Sequence, residues 1–389
     1  MLAEVRMARI VEAIGGYRSG RLSCVEAGEL LGMSERHFRR LRDRYEAEGA
    51  EGLIDRRRGR VSGRRVAVDK VEWVIEQFVT RYFDFTVKHF HEELRKAGFN
   101  LSYTWTRTIL QQRGLVRAAP KRSAHRKKRQ RRPLPGMMLF QDGSTHPWLE
   151  GRQPLDLIVT MDDATSEIYS AFLTEEEGTF SSLRGFEEVI ARMGLFSSLY
   201  TDRGSHYFFT PKAGEKVDKG RLTQVGRALA ELGIEHIPSY SPEGRGRMER
   251  VFGTLQKRLP PVLRLQGIAT IEEANRFLAE SYIFDHNDRF AVAAAEEGDA
   301  FVPFVGDLAG VLCARHERVV GNDNCVRFES LVLQIPEQRH RRHYVKAAVQ
   351  VRQHGDGRLT LFHGPRRLAS YTGDGALIIE QGGPARSAA

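Results

Sequence analysis

The sequence predicts a multidomain protein with all-α units at the N-terminus, an α/β core and a small all-β domain at the C-terminus. Three observations predict this fold class. Apolar residues recur at helical spacing through the first 117 residues. Short apolar strands alternate with helical segments from residue 136, and strand-like runs broken by Gly, Pro and Asp follow residue 301. A chain of 389 residues is also too long for one ordinary core.

Residues 1–55 predict a helix-turn-helix DNA-binding domain. Gly32 allows the turn, and Ser34 is placed to cap the second helix. The residues expected to face inward are Val25, Leu30, Leu31, Phe38 and Leu41. The second helix would expose a row of arginines, as a recognition helix in a DNA major groove does: Arg36, Arg39, Arg40, Arg42 and Arg44. The alternative is an ordinary helical hairpin with a basic face.

Residues 66–117 predict a second helix-turn-helix domain. Two apolar stripes mark its first helices, and Ser102 is placed to cap the third. The residues of these stripes and of the third helix are Val71, Val74, Ile75, Phe78, Val79, Val87, Phe90, Leu94, Trp105, Ile109 and Leu110. The candidates to face DNA are Tyr103, Thr104, Thr106 and Arg107.

Two basic segments separate the domains. Residues 55–65 are rich in Gly and Arg, and they are either a passive spacer or an arm that follows a minor groove. Residues 118–135 form a basic linker that is too charged to fold alone, and we expect it to become ordered on a phosphate backbone, although composition alone would also suit a nuclear-localisation tract. The candidate DNA contacts here are Arg56, Arg57, Arg58, Arg60, Arg126, Lys127, Lys128 and Arg129.

The positive charge of the chain is concentrated around the second of these segments. Between residues 94 and 141 there are thirteen Lys or Arg and no Asp or Glu, whereas the whole chain has a net charge of +10. Such a local field is typical of proteins that bind a nucleic-acid backbone. A solubilising tail is the alternative, but tails are more often terminal.

Residues 136–300 predict a mixed sheet with flanking helices. A first strand ends at Asp142, a hairpin turns at Asp162 and Asp163, and a later strand ends at Asp202. Helices are expected near 180–193, before the strand at 235–237, and from Glu249 onward, where Met248, Phe252, Leu255 and Leu259 form an apolar face. Residues 301–389 predict a small barrel or sandwich.

Asp142, Asp202 and Glu249 predict a catalytic metal site. If the strands before the two aspartates are neighbours, their carboxyl ends meet at one sheet edge, where α/β sheets place their sites. Carboxylates there would bind hard cations. Two Mg²⁺ ions ~3.5–4 Å apart can stabilise both the attacking and the leaving oxygen of a phosphoryl displacement, so water or a DNA 3′-hydroxyl serves as nucleophile.

Competing assignments exist for each of these residues. A single Asp after a strand is commonly a turn or cap residue, but "QDGS" and "TDRGS" repeat the same pattern. Asp162 and Asp163 compete as ligands, yet the hairpin places them opposite the proposed metal edge. Glu243 follows a proline in a glycine-flanked turn, which favours a solvated side chain.

Several neighbours are auxiliary candidates. His146 and His206 each lie four residues beyond an aspartate, where they would assist a proton transfer, contact a phosphate or fill polar space. Trp148 would either stack on a DNA base or pack. The arginines expected to hold DNA phosphates, or else to be solvated surface charge, are Arg245, Arg247 and Arg250.

Five segments of the chain carry a family resemblance. They read "FQDGSTHPWLEGR", "VTMDDATSEI", "YTDRGSHYF", "TQVGRALAELGIEHIPSYSPEGRGRMERVFGTLQKRL" and "YIFDHNDRFAVAAAEEGDAFVPF". Together they resemble bacterial insertion-sequence transposases of the DDE, or retroviral-integrase, type, in particular the ISNCY group. The likeness covers nearly the whole chain, and its motifs in combination are specific.

The resemblance implies an RNase H-like catalytic core with an acidic triad at Asp142, Asp202 and Glu249, the last within a Gly-Arg-x-Glu-Arg motif. It implies an enzyme that binds the terminal inverted repeats of its element, cleaves at the element ends and joins the freed 3′-hydroxyls to target DNA. Two Mg²⁺ ions, replaceable by Mn²⁺, would serve as cofactors. A homodimer or higher oligomer on DNA is implied as well.

The sequence departs from the family pattern in the details of "TDRGSHYFFT" and in the spacing of the triad. Asp202 and Glu249 are 47 positions apart, a longer interval than in retroviral integrases, with "TPKAGEKVDKGR" as the apparent insertion. Two other functions therefore stay open: a catalytically inert DNA-binding regulator derived from a transposase, and a nuclease or resolvase that cuts without strand transfer. A decayed core should have lost one of the three carboxylates, and all three are present.

The same sequence predicts a location in the bacterial cytoplasm at the nucleoid, with no membrane partner. It has no run of ~18 apolar residues. Its first residues alternate in charge rather than forming an apolar signal segment. Three cysteines cannot build a disulfide framework.

Overall fold

The structure is a computed structural model that describes residues 2–54, 65–118, 129–211, 216–218, 220–240, 242–338 and 341–379. The chain divides into two compact units, Met1–Val74 and Ile75–Ala389. Seven candidate DNA contacts lie outside the described residues: Arg56, Arg57, Arg58, Arg60, Arg126, Lys127 and Lys128.

The first unit contains the predicted helix-turn-helix. Its helices are α1 (Leu2–Arg18), α2 (Cys24–Leu30) and α3 (Glu35–Glu48), followed by a 3-10 turn at Gly49–Leu53. Gly32 has φ of +64°, a left-handed conformation that glycine adopts without strain. The hydroxyl of Ser34 accepts a hydrogen bond from the backbone N–H of His37, so the predicted cap is confirmed. Phe38 and Leu41 are buried as predicted.

The predicted apolar face of α2 is wrong in part. Val25 is 50% exposed and Leu30 is 69% exposed, whereas Ala27 and Gly28 are buried. The turn that leads into α3 passes so close to α2 that a Cβ on Gly28 would lie 2.9 Å from the carbonyl oxygen of Met33. Small residues therefore form this contact, and the larger apolar residues point away from it.

The second predicted helix-turn-helix is formed by α4 (Val68–Thr80), α5 (Val87–Lys96) and α6 (Tyr103–Gln112). Ser102 caps α6 by accepting a hydrogen bond from the N–H of Trp105. Its buried side chains include Phe78, Phe90, Leu94 and Leu110. Two expectations are wrong. Val79 is 49% exposed, and Thr106 is fully buried with its hydroxyl bonded to the carbonyl of Ser102, so it cannot face DNA.

A five-stranded mixed sheet follows, as predicted. Its strands are β1 (Leu139–His146), β2 (Leu155–Asp162), β3 (Ile168–Thr174), β4 (Ser198–Thr201) and β5 (Glu235–Pro238). Their order is β3-β2-β1-β4-β5, with β1, β2 and β3 antiparallel in turn and β4 and β5 parallel to β1. The arrangement agrees with the RNase H-like core that the resemblance implies.

Helices cover both faces of the sheet. On one face α7 (Thr179–Met193) and α8 (Gln224–Glu231) bury a core with Leu139 and Leu199. On the other face lie α9 (Pro242–Leu265), α10 (Ile271–Phe277), a π-helical turn at Leu278–Tyr282 and α11 (Ile283–Phe290). The predicted apolar face of α9, with Met248, Phe252, Leu255 and Leu259, packs in this second core against Phe140, Leu157 and Val159.

Two buried or half-buried ion pairs join α9 to the second helix-turn-helix. Arg258, which is 7% exposed, donates hydrogen bonds of 2.8 and 2.9 Å to the carboxylate of Glu92 on α5. Arg264 donates to both oxygens of Asp84 at 2.7 and 2.8 Å. Paired contacts of this kind fix orientation as well as distance. The C-terminal half of α9 is therefore tied to α5 and to the turn before it.

The C-terminal residues form the predicted small all-β region. After α12 (Leu308–Val311) come β6 (Ala314–Val319), β7 (Cys325–Phe328), β8 (Leu331–Gln334), β9 (Ala348–Gln353), β10 (Leu359–His363) and β11 (Arg366–Tyr371). A four-stranded antiparallel sheet of order β11-β10-β9-β6 and the β7-β8 hairpin enclose one apolar core. The fold class predicted from the sequence is confirmed.

Among the described residues, none of the helices has both the length and the apolar character needed to cross a bilayer.

Replacing Glu92 with Gln should lower the free energy of unfolding by about 2–3 kcal/mol, because it leaves the buried guanidinium of Arg258 without its charged partner. The matched control is Glu93→Gln on the same helix, whose exposed pair with Lys96 contributes only ~0.5 kcal/mol. Denaturant unfolding of both variants measures the difference. Equal losses in the two variants would contradict the importance assigned to the Arg258 pair.

Candidate active site

Asp142 lies in the middle of β1, not at its end as predicted. The strand continues to His146 because residues 143–146 keep pairing with Ile158 through Leu155 on β2. Phe140 packs in the core beneath α9, and side chains alternate along a strand, so Asp142 is on the α9 side of the sheet. Its residue exposure is 7%, so this carboxylate is buried.

Asp202 follows β4 directly, and β4 is the neighbour of β1 as the hypothesis required. In the parallel ladder Leu139 is opposite Leu199 and Phe140 is opposite Tyr200. The same register continued by two residues brings Asp142 level with Asp202. One oxygen of Asp202 accepts a 2.8 Å hydrogen bond from the backbone N–H of Gly204, and its side chain is 38% exposed.

Glu249 is the eighth residue of α9, which starts at Pro242. The prediction that Glu249 begins this helix is therefore wrong, and the helix dipole, which acts within the first turn, has little effect on it. Glu243 lies within the helix rather than in a turn. Met248 and Phe252 face the sheet, and Glu249 is exposed beside them.

An open cleft of about 570 Å³ brings Asp202 and Glu249 together. Its lining residues are Asp202, Arg203, Gly204, Ser239, Tyr240, Arg245 and Glu249. The carboxylates after β4 and on α9 thus open to the same space, at the sheet edge where the strand rule places a site.

The guanidinium of Arg245 lies between the two aspartates. Its Nη2 donates to Oδ2 of Asp142, and its Nη1 lies 3.9 Å from Oδ2 of Asp202. Asp142 and Asp202 therefore already share one positive group. The prediction that Arg245 holds a DNA phosphate stays a prediction; in this structure its partners are carboxylates.

Burial raises the pKa of Asp142 to about 6, against the opposing effect of its bond to Arg245. The negative charges of Glu177 and Asp202 raise the pKa further. Asp142 is thus a buried carboxylate with other negative charges beside it, an arrangement that favours a nearby cation.

Glu177 is a charged neighbour of Asp142 that the sequence analysis missed, and its carboxylate lies on the α7 face of the sheet, opposite the side chain of Asp142. Its carboxylate lies against the backbone beside Asp142, since a Cβ on Gly143 would collide with it. Glu177 follows β3, whose carboxyl end lies at the same sheet edge as those of β1 and β4. The strand rule that selected Asp142 and Asp202 would have found it in the run Glu175–Glu176–Glu177, had it been applied to this strand.

The auxiliary candidates separate into two groups. His206 lies in the site, with Nε2 3.5 Å from Oε1 of Glu177. Trp148 is fully buried and its indole N–H donates to the carbonyl of Ser144 at 3.0 Å, so it packs and cannot stack on a DNA base. His146 contacts the edge of Trp148, with ring centroids 5.0 Å apart, at the far end of β1.

The remaining arginines of the motif differ in their surroundings. Arg250 is exposed on α9. Arg247 and Arg129 both bind the carboxylate of Asp163, which lies after β2 at the sheet end opposite Asp142, as predicted for this turn. Asp162 accepts hydrogen bonds from the backbone N–H groups of Gly136 and Thr165.

The donor set fits a hard cation, given a movement of Arg245. Asp142 and Asp202 offer carboxylate oxygens to one shared positive group, and Glu249 opens to the same cleft. Within the described part of the chain, no three His, Cys, Asp or Glu side chains are arranged closely enough to hold an ion as they stand. The Arg245 guanidinium occupies the place between the two aspartates.

Most of the predicted recognition residues are accessible. Arg36, Arg39 and Arg40 are exposed on α3, and Tyr103 and Arg107 are exposed on α6.

Two other arginines of the same row are directed toward their own unit, contrary to prediction. Arg42 donates to the hydroxyl of Tyr17 at 3.0 Å, and Arg44 donates to the carbonyl of Gly52.

Comparison with solved structures finds viral integrases. The simian T-cell lymphotropic virus intasome in complex with PP2A regulatory subunit B56 gamma matches with a TM-score of 0.33 and 16% identity, over 67% of this chain and 85% of that chain. The HTLV-2 integrase catalytic core domain in complex with magnesium matches with a TM-score of 0.28 and 16% identity, over 38% of this chain and 90% of that chain.

Comparison of sequences finds a family model and two relatives, each matched over 77% of its length. The model of a helix-turn-helix domain matches residues 11–60. The transposase for insertion sequence IS1202 of Streptococcus pneumoniae is 27% identical over 365 residues, which cover 84% of this chain and 77% of that protein. A protein of Sinorhizobium fredii (strain NBRC 101917 / NGR234) named as transposase y4bF is 32% identical over 354 residues, covering 90% of this chain and 77% of that protein. The chain therefore belongs to the transposase family of bacterial insertion sequences.

Proposed function

We propose that this transposase binds the terminal inverted repeats of its element, cleaves one strand at each end and joins the freed 3′-hydroxyls to target DNA. The observation that carries the proposal is that Asp142 on β1 and Asp202 directly after the neighbouring parallel strand β4 share one positive group, Arg245, beside Glu249. A phosphoryl transfer of this kind depends on positioning and on charge stabilisation rather than on a protein nucleophile.

Asp142, Asp202 and Glu249 would hold divalent cations, Mg²⁺ or Mn²⁺. When bound, two such ions supply Lewis-acid stabilisation of the attacking and leaving oxygens. The buried position of Asp142 keeps one carboxylate of the site away from competing water. The family relationship and the helix-turn-helix domain support DNA as the substrate.

Arg245 would change partners during the reaction. In the free protein it neutralises Asp142 and approaches Asp202. Its side chain is 32% exposed, so a DNA phosphate entering the cleft can compete for the guanidinium. Release of Arg245 to the phosphate then frees the two carboxylates for cations at the moment when substrate is present.

The N-terminal helices would hold the DNA. The exposed arginines of α3 and the exposed face of α6 lie on the last helix of each helix-turn-helix unit. In other proteins this is the helix that enters a major groove. Joining two element ends needs two active sites, which favours a homodimer or higher oligomer on DNA. The retained carboxylates favour this function over an inert regulator.

Asp142→Asn, Asp202→Asn and Glu249→Gln should each lower end cleavage by about a thousandfold or more, because a carboxylate needed for several kcal/mol of charge stabilisation is lost. DNA binding should persist in all three variants. The measurement is cleavage and joining of labelled element ends with Mg²⁺ and a plasmid target, with EDTA as the metal-free reference.

Glu243→Gln is the matched control for the third carboxylate, since it makes the same change on the same helix. It should retain activity. Full activity in Glu249→Gln would remove Glu249 from the site. Cleavage without joined products would support the nuclease or resolvase instead.

Arg245→Gln should raise the affinity of the DNA-free protein for Mn²⁺ by about tenfold, because it removes a positive group that competes for the same carboxylates. Titration calorimetry without DNA measures the change. Arg250→Gln, an exposed arginine of the same helix, serves as control and should leave the affinity unchanged. An unaltered or weaker affinity in Arg245→Gln would refute the exchange of partners.

Arg40→Gln should weaken binding to the inverted repeat by about tenfold, the cost of one lost contact from a recognition helix. Fluorescence anisotropy with the repeat and with a scrambled duplex measures the effect. Arg9→Gln, an exposed arginine on α1, is the control. If the two variants lose the same affinity, α3 has no special role in DNA recognition.

A further inference from the structure

Asp163 is a buried carboxylate that the proposed reaction does not use. Its side chain is fully buried after β2, and its backbone N–H donates to the carbonyl of Met138 at 3.0 Å. A buried charge is stable only when it is paired and hydrogen-bonded. Asp163 meets this need with two guanidinium groups, those of Arg129 and Arg247, and with the backbone N–H of Arg132 at 2.7 Å.

Arg247 brings this cluster to the helix that carries Glu249. Its Nη1 binds Oδ1 of Asp163 and its Nη2 binds the carbonyl oxygen of Arg129. The side chain is only 15% exposed. Arg247 is thus held by two partners at the end of the sheet opposite Asp142.

Arg245 and Glu249 are four residues apart, on one face of α9, whereas Arg247 between them points elsewhere. The first turns of the helix are therefore held from two sides, by Asp142 through Arg245 and by Asp163 through Arg247. Rotating the helix enough to withdraw Glu249 from the cleft would break the contact with Asp163. If Arg245 leaves Asp142 for a phosphate, Arg247 remains as the ion pair that holds the first turns, beside the apolar packing of Met248 and Phe252.

The chain segment that enters the core meets the same carboxylate. Arg129 and the backbone of Arg132 bind Asp163, and Nη1 of Arg131 donates to the carbonyls of Asp163 and Ala164 and to the hydroxyl of Ser166 at 2.8 to 3.1 Å. Residues 129–132 and the first turns of α9 are thus joined by the buried carboxylate of Asp163.

We propose that Asp163 is a positioning residue for Glu249, which it orients through Arg247 while binding residues 129–132 to the same point. The importance of this orientation rests on the proposed catalytic role of Glu249. The physical connection from Asp163 to α9 is independent of that role, and it can be measured in the protein without DNA or metal.

Asp162 offers a matched control. It is equally buried in the same turn, but its carboxylate accepts hydrogen bonds from the N–H groups of Gly136 and Thr165 at 2.9 Å. Replacing it with Asn should disturb the turn without reaching α9. Asp163→Asn should disturb α9 as well.

Hydrogen–deuterium exchange of the full chain tests the connection. Asp163→Asn and Arg247→Gln should accelerate amide exchange in residues 245–255 by about tenfold, because an anchoring contact of the helix is lost. Asp162→Asn should leave that peptide within about twofold of the unchanged protein. Arg247→Gln keeps Asp163 paired with Arg129, so it provides the measurement even if Asp163→Asn fails to fold.

Unchanged exchange in residues 245–255 of Arg247→Gln overturns the proposal, and so does an equal acceleration in Asp162→Asn. In the end-cleavage assay at a saturating concentration of the inverted repeat, Arg247→Gln should react about tenfold more slowly than the unchanged protein. If the unchanged protein fails to cleave with every metal ion tested, the proposed function is refuted. The exchange data still decide whether Asp163 holds α9.

Discussion

The packing of α9 across the sheet is the constraint on which the candidate site depends. Its apolar stripe, with Met248, Phe252, Leu255 and Leu259, enters the same core as Phe140 of β1. Burial of large side chains at helical spacing fixes which face of the helix meets the sheet. Arg245 and Glu249 then open toward the carboxyl ends of β1 and β4, and Arg247 points toward the other sheet end. The packing of apolar side chains therefore decides where the charged side chains of the site lie.

Electrostatic interactions act between the charged side chains that this packing brings together. Burial raises the pKa of Asp142, and the nearby negative charges of Glu177 and Asp202 raise it further. Such a group of carboxylates is unfavourable without a cation. In the free protein the chain supplies its own cation, Arg245, and the surrounding carboxylates raise the pKa of its guanidinium although burial opposes this. The site is therefore stable while empty of substrate, and its charge is balanced by a group that solvent can reach.

Local signals predicted much of this structure. The Ser caps of α3 and α6, the strands before Asp142 and Asp202, and the inward face of α9 were all readable from residue spacing. The site hypothesis was conditional on β1 and β4 being neighbours, and the structure meets that condition. Whether Asp142, Asp202 and Glu249 together hold cations stays a prediction.

The errors arose where tertiary packing decides. Close approach of the turn before α3 favours the small residues Ala27 and Gly28 over Val25 and Leu30 on the buried face of α2, and residue spacing carries no sign of that distance. Glu249 lies well inside its helix because α9 extends back through the glycines that suggested a turn. The pairing of Asp163 with two arginines joins residues 129, 163 and 247, and such distant contacts leave no local pattern.

The long interval between Asp202 and Glu249 has an evolutionary consequence. In the sequence, the apparent insertion lies between the residues of β4 and those of α8. Insertions in a surface connection cost little free energy and leave the elements on either side in place. Lineages of this family can therefore lengthen or shorten that connection without moving either carboxylate, so a fixed spacing between them is a poor criterion for finding distant members.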